Sequence, residues 1–198
     1  MIEEIEPHPD LIKYFEITHN FKSDLSVNIF TDNGEHYNVL SDIDQNIFLL
    51  KKLNEFDFLK EENHICDCGI GLGNALFEIY LQSLDIDRNF YFYGVEKQDV
   101  YIQFIIDNLS HLWKDKLSLI KDDIMNLDYS KFNIVYSYSP FNNKKKLEKM
   151  YQKIVNEIQL GSIIVENANL GKGHFELLRE FTELEEIDLD GLYIYKKI

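Results

Sequence analysis

The segment ICDCGIGLGN, residues 65–74, carries Gly69, Gly71 and Gly73 at alternate positions, directly after a short apolar run that holds Asp67. Glycines in such a loop let the backbone approach a ligand closely, because no Cβ stands in the way. Acidic residues recur at the ends of the next two apolar runs: Glu96 in FYGVEK, then Asp122 and Asp123 in IKDDIMNLD. A fourth run, NIVYSYSPFNN, closes on a polar-aromatic set of Tyr136, Tyr138, Ser139, Pro140, Phe141 and Asn142. Acids at three successive run ends are far less expected by chance than any one of them alone.

Three readings of the glycine loop compete: a dinucleotide site, an S-adenosylmethionine (SAM) site, or a bare turn. A dinucleotide fingerprint needs G-x-G-x-x-G, and here the third glycine position is Asn74. A phosphate-cradling loop fails as well, since no Gly-Lys-Ser/Thr follows. Asp67 would face a pyrophosphate unfavourably without a cation, whereas it would favour the ammonium of a methionine moiety. Glu96 can accept from ribose hydroxyls, a device that dinucleotide enzymes share. Asp122 or Asp123 can accept from an adenine amino group, with Ile124 or Met125 against its ring.

Cys66 and Cys68 flank Asp67, so the alternation of a strand puts both thiols on one face and the carboxylate on the other. A C-x-C pair without further spaced Cys or His ligands is a poor zinc signal, and core packing without metal is expected. His64, His111 and His174 are scattered, and His174, near Gly171 and Gly173, is at most a residue of a pocket rim.

From Asn63 onward apolar runs alternate with amphipathic ones. HICDC, FYFYGV, KLSLI, NIVYSY and SIIVEN read as strands; NALFEIYLQSL, DVYIQFIIDNLSHLW, KKLEKMYQKIVNEI and HFELLREF read as helices. This alternation predicts a doubly wound, mostly parallel α/β sheet whose ligand crevice lies at the carboxyl ends of the strands. FTELEEIDLDGLYIYKKI breaks it with two β-type runs joined at Asp190-Gly191, a hairpin that forces at least one antiparallel strand. Residues 1–62 read as an extension on the core of residues 63–198: a short helix around Leu11 to Glu16, a hairpin around Asn33-Gly34, and an amphipathic helix capped by Ser41 with Ile43, Ile47, Leu50 and Leu53 on one side. The extension carries no chemistry of its own and reads as a cover.

The chain of 198 residues suits one domain, and its 45% hydrophobic and 14% aromatic content supports a sizeable core. No run approaches the roughly 20 apolar residues of a membrane span. The opening MIEEIEPHPD lacks the basic and apolar regions of a secretory signal, and two adjacent thiols suit a reducing compartment, so a cytoplasmic protein is expected. A net charge of −15 disfavours general binding to phosphate backbones. Lys144, Lys145, Lys146, Lys149 and Lys153 form the one basic cluster, read first as the solvated start of a helix and second as a nucleic-acid contact.

DCGIGLG, then VE, then DD, then a strand ending in an S-P-F loop, resembles the class I SAM-dependent methyltransferases, over about residues 63 to 198. The resemblance implies SAM as cofactor and a seven-stranded sheet in the order 3-2-1-4-5-7-6 with the terminal hairpin supplying the antiparallel strand. It implies that Gly69, Gly71 and Gly73 approach the cofactor together with Asp67, that Glu96 holds the ribose, and that Asp122, Asp123 and Ile124 meet the adenine. DCGIGLGNALFEI followed by YGVEK is similar to the non-SET histone-lysine methyltransferases.

Amino-group methyltransferases of nucleobases and glutamine carry Asn/Asp-Pro-Pro-aromatic after the fourth strand. On that pattern Pro140 and Phe141 match, while Tyr138 takes the polar position and Ser139 replaces the first proline. The amide is absent, so methylation of adenine, cytosine or glutamine does not carry over. Methyl transfer needs in-line placement and desolvation more than covalent help, since the sulfonium is already a good leaving group. The expected function is thus transfer to a protein side chain, lysine among the candidates, or to a small molecule, with Tyr138, Ser139, Pro140 and Phe141 at the reacting end. The alternatives are an RNA or DNA methyltransferase using the 144–153 lysines, and a non-catalytic SAM-binding module.

Overall fold

In the computed structural model the placed residues are 8–24, 48–138, 140–141, 143–166, 175–189 and 192–198. The parallel strands are β1 (Glu62–Cys68), β2 (Asn89–Glu96), β3 (Leu117–Lys121), β4 (Ile134–Ser137) and β5 (Ile163–Glu166). All four residues of β4 and of β5 are buried, as expected of strands covered on both faces, whereas β3 at the sheet edge is buried only in part. The hairpin strands β6 (Leu184–Leu189) and β7 (Leu192–Lys197) close the sheet, with β7 antiparallel to both β5 and β6. The order is β3-β2-β1-β4-β5-β7-β6, as the resemblance implies. Residues 190 and 191, the expected hairpin turn, lie outside the described residues.

Alternation along the strands divides the core in two. Ile65, Phe92, Ile134 and Ile163 pack on one face under α1 (Pro9–Asp24), α2 (Leu49–Glu55) and α3 (Asn74–Ser83). Cys66, Cys68, Val135 and Ile164 pack on the other, under α5 (Lys144–Glu157) and α6 (Phe175–Arg179). Both thiols are free and buried in that second core. Helix α3 is buried from Asn74 through Leu81, because it is enclosed between the sheet and the helices of the N-terminal segment. The expected hairpin around Asn33-Gly34, and Ser41, Ile43 and Ile47 of the following helix, lie outside the described residues; Leu50 and Leu53 are buried on α2.

The run 99–113 is not one α-helix. It opens as α4 (Asp99–Phe104), passes through a π-helical turn at Ile105–Leu109 and ends in a 3₁₀ turn at Ser110–Leu112. Its buried residues Tyr101, Ile105 and Leu109 recur every four positions, wider than the 3.6 of an α-helix, and a π turn absorbs the excess.

Gly94 within β2 is required by packing. A Cβ there would stand 2.2 Å from Cδ1 and 3.1 Å from Cβ of Ile70, the buried apolar residue of the glycine loop. Gly94→Ala is expected to cost about 1–3 kcal/mol in denaturant unfolding, as overpacking does. The cost should shrink in an Ile70→Ala background; an equal cost in both would show that the clash is not the cause.

Candidate active site

The strand order reverses between β1 and β4, so their carboxyl ends bound the crevice where ligands of doubly wound sheets bind. The loop leaving β1 runs along one wall. Gly69, Gly71 and Gly73 have φ of 87°, 54° and 79°, all in the left-handed region that side chains disfavour. Gly69 and Ile70 both donate their amides to Val95 O, at 3.0 and 2.9 Å, which ties the loop to the end of β2. Gly73 stands directly before α3, and a Cβ on it would meet the Tyr14 hydroxyl at 2.7 Å. A Cβ on Gly69 would lie 3.5 Å from Pro140 Cβ, so the loops after β1 and β4 are neighbours across the reversal.

Two buried carboxylates stand at the ends of β1 and β2. Asp67 pairs in register with Gly94 and Tyr136 and is 4% exposed; Glu96 closes β2 at 8%. Burial pushes the Asp67 carboxyl up to about 7, with the Glu96 charge adding to the effect. Burial also raises Glu96, opposed by amides that donate to it: Gln98 (2.9 Å) and Lys97 (2.9 Å) on Oε1, and Gly71 (3.2 Å) on Oε2. Two desolvated acids side by side make a site that favours a cationic ligand and opposes an anionic one.

The loop after β3 reaches the same place, since Asp122 donates its amide to Glu96 O at 3.2 Å. Asp122 and Asp123 are half-buried. Asp122 Oδ1 accepts from the Asp123 amide (2.7 Å) and Asn126 Nδ2 (3.0 Å), and Asp123 Oδ1 accepts from the Met125 amide (2.9 Å). Ile124 is buried among Val95 and Tyr129, whose hydroxyl donates to its carbonyl at 2.9 Å, while Met125 is only half-buried.

After β4, Tyr136 is fully buried, Tyr138 and Pro140 are half-buried, and Phe141 is buried on the α5 side. Ser139, Asn142 and His174 lie outside the described residues. Asn143 caps α5, accepting the amides of Lys145 (3.0 Å) and Lys146 (3.3 Å). The lysines that follow have different surroundings: Lys146 lies 5.5 Å from the centre of the Phe141 ring, Lys153 pairs with Glu157, and Lys144, Lys145 and Lys149 are exposed.

Sequence reasoning missed Tyr14. It is fully buried on α1, donates to Leu72 O at 2.7 Å inside the glycine loop, and stacks on Phe77 with centroids 4.1 Å apart. Its companion Thr18 accepts from Asn74 Nδ2 at 3.3 Å. The only sequence signal was the spacing of Leu11, Tyr14 and Thr18 along one helical face. Among the described residues no cluster of His, Cys, Asp and Glu is placed to hold a metal ion, and no helix is long and apolar enough to cross a membrane.

No protein-family model matches the chain, and no curated protein matches its sequence. Solved structures match its fold. A Klebsiella pneumoniae protein assigned as an O-methyltransferase superposes with a TM-score of 0.62 at 14% identity, over 98% of this chain and 92% of its own. An rRNA methylase from Streptococcus thermophilus gives 0.56 at 15% identity, over 80% and 99%. An RNA methyltransferase from Salinibacter ruber, solved with S-adenosyl-L-homocysteine (SAH), gives 0.50 at 15% identity, over 75% and 88%. The fold is therefore the Rossmann-like fold of class I SAM-dependent methyltransferases.

The raised Asp67 titration has a definite sign. An unfolded aspartate titrates at about 3.9, so between that pH and about 7 the folded chain holds a proton that the unfolded chain has lost. Stability of the unliganded protein should therefore fall as pH rises through this window, by up to roughly 1.4 kcal/mol per pH unit from this group. Thermal melts of wild type and Asp67→Asn across pH 4.5–7.5 isolate the contribution. The wild type should lose stability relative to the variant, and parallel pH profiles would refute the assignment.

Proposed function

We propose that the chain is a SAM-dependent methyltransferase, with SAM lying across the carboxyl ends of β1, β2 and β3. The observation that carries this reading is the pair of buried carboxylates, Asp67 and Glu96, beside a loop of left-handed glycines. SAM brings a sulfonium and an ammonium to a site short of positive charge; a dinucleotide brings a pyrophosphate. The fold similarity supports the same choice, although fold alone does not assign a reaction.

In this reading Asp67 faces the methionine ammonium and Glu96 the ribose. A carboxylate has about four acceptor positions, and three on Glu96 already receive amides. One position on Oε2 remains, so chelation of both ribose hydroxyls requires the 3.2 Å bond from Gly71, the longest of the three, to yield. Asp122 or Asp123 receives the adenine amino group, with Met125 and the edge of Ile124 against the ring. Gly69 and Gly71 admit the cofactor backbone-first.

The acceptor enters at the reversal point, beside Tyr138, Pro140 and Phe141. The chain's part in the chemistry is to aim the acceptor lone pair along the methyl–sulfur axis and to exclude water. An amine on a protein side chain or small molecule suits the electronegative edge. A second reading, an RNA acceptor, draws on Lys144, Lys145 and Lys149, exposed immediately after the Phe141 loop, and on the RNA-directed activity named for two of the structural neighbours.

Calorimetry with SAM, SAH and NAD tests the cofactor. SAM and SAH should bind and NAD should not; absence of binding by both SAM-type ligands would end the proposal. Glu96→Ala should weaken SAH about 10- to 100-fold, the worth of charge-assisted hydrogen bonds lost. SAH release with lysine peptides, small amines and RNA then separates the acceptors. Binding without release for every class would favour a non-catalytic module, and RNA binding that survives only at low salt would favour the second reading.

A further inference from the structure

We propose that Tyr14 is a positioning residue for the glycine loop, so that α1 is a working part of the cofactor site and not a cover laid over it. The proposal rests on the reading of that loop as the cofactor site. Its basis is three contacts made by one fully buried side chain. The hydroxyl donates to Leu72 O at 2.7 Å, between Gly71 and Gly73. The same oxygen fills the space in which a Cβ on Gly73 would stand, at 2.7 Å. The ring is clamped by Phe77, stacked at 4.1 Å and 17°, and by Trp113, edge-on at 6.2 Å and 79°.

Physical need runs in both directions. A loop of three glycines at positive φ has little to hold its shape, because glycine has the largest conformational freedom to lose. A buried carbonyl left without a donor would add a further cost. Tyr14 supplies that donor and fixes the orientation of the peptide joining Leu72 to Gly73. The Gly73 amide is then held on Ile70 O at 2.8 Å, and the Gly71 amide on Glu96. Thr18, one turn further along α1, binds Asn74 at the first position of α3, so the helix is fastened on both sides of Gly73. Burial also keeps the phenol proton in place, leaving the hydroxyl a donor at every ordinary pH. The Leu72–Gly73 peptide is thus oriented before a ligand arrives, which removes that part of the ordering cost from binding, while the Gly71–Glu96 bond is the one left to rearrange.

Gly73 is thus required twice over, by its left-handed φ of 79° and by the Tyr14 hydroxyl that occupies the place of a Cβ. Gly69, the exposed glycine of the loop, makes no contact with Tyr14 and is left for ligand approach.

The test compares Tyr14→Phe, which keeps both ring contacts and deletes only the hydroxyl, with Leu11→Val, a mild core change on the same buried face of α1. SAH affinity by calorimetry, thermal midpoint, and amide hydrogen exchange of residues 69–74 are measured on the full chain. Tyr14→Phe should weaken SAH 5- to 50-fold and speed exchange at Gly71 and Gly73 at least 10-fold. Leu11→Val should lower the midpoint with affinity and loop exchange within twofold of wild type. Wild-type affinity and exchange in Tyr14→Phe would overturn the proposal, as would equal losses in both variants, which would mark Tyr14 as structural only. If wild type binds neither SAM nor SAH, the functional reading falls, and exchange still decides whether Tyr14 orders the loop.

Discussion

Glu96 is the knot at which three strand ends are tied. Its two oxygens gather amides from the loop after β1 and from its own turn, and its backbone carbonyl receives the loop after β3. Each bond is modest alone, but together they set the spacing of the elements that line the crevice. The arrangement holds an acid at 8% exposure, and its burial is tolerated because the donors are backbone amides that need not move to find it. Among the described residues no amide donates to Asp67 beside it, and burial lifts it to about 7. A pair of acids, one satisfied and one not, is an incomplete electrostatic arrangement that a cation would complete.

Packing explains the glycines more fully than ligand approach does. Gly94 yields its space to Ile70, and Gly73 to the Tyr14 hydroxyl. Ile70 and Tyr14 belong to the same core, and through them the loop is held to β2 and to α1. The loop is therefore held to both β2 and α1, and Gly69 alone of its three glycines is exposed. The N-terminal helix, which carries no catalytic residue type in a notable pattern, meets the glycine loop and the start of α3 through Tyr14 and Thr18.

Much of the fold was legible. Strands such as HICDC and NIVYSY announce themselves because parallel strands buried on both faces must be short and apolar, and the Asp-Gly hairpin forces an antiparallel strand. The helix read over 99–113 failed in detail, because the four-residue recurrence of Tyr101, Ile105 and Leu109 is a response to the sheet beneath them and not a local preference. Of the candidate site, Asp67, Glu96, Asp122 and Asp123 stood out as acids at strand ends, where a doubly wound sheet places its ligands. Ile124 is buried and Met125 beside it half-buried, a difference that their sequence alone does not give.

The sequence by itself determined the alternation of strands and helices, the positions of the strand-end acids, and the run of glycines after the first strand. These are local properties, set by periodicity and by the steric limits of single residues. Only the tertiary structure decided why each glycine is needed, which acid is satisfied, and that Tyr14 reaches Leu72 across 58 positions of chain. Such facts depend on which surfaces folding brings together, and on how far water is removed from the groups it encloses.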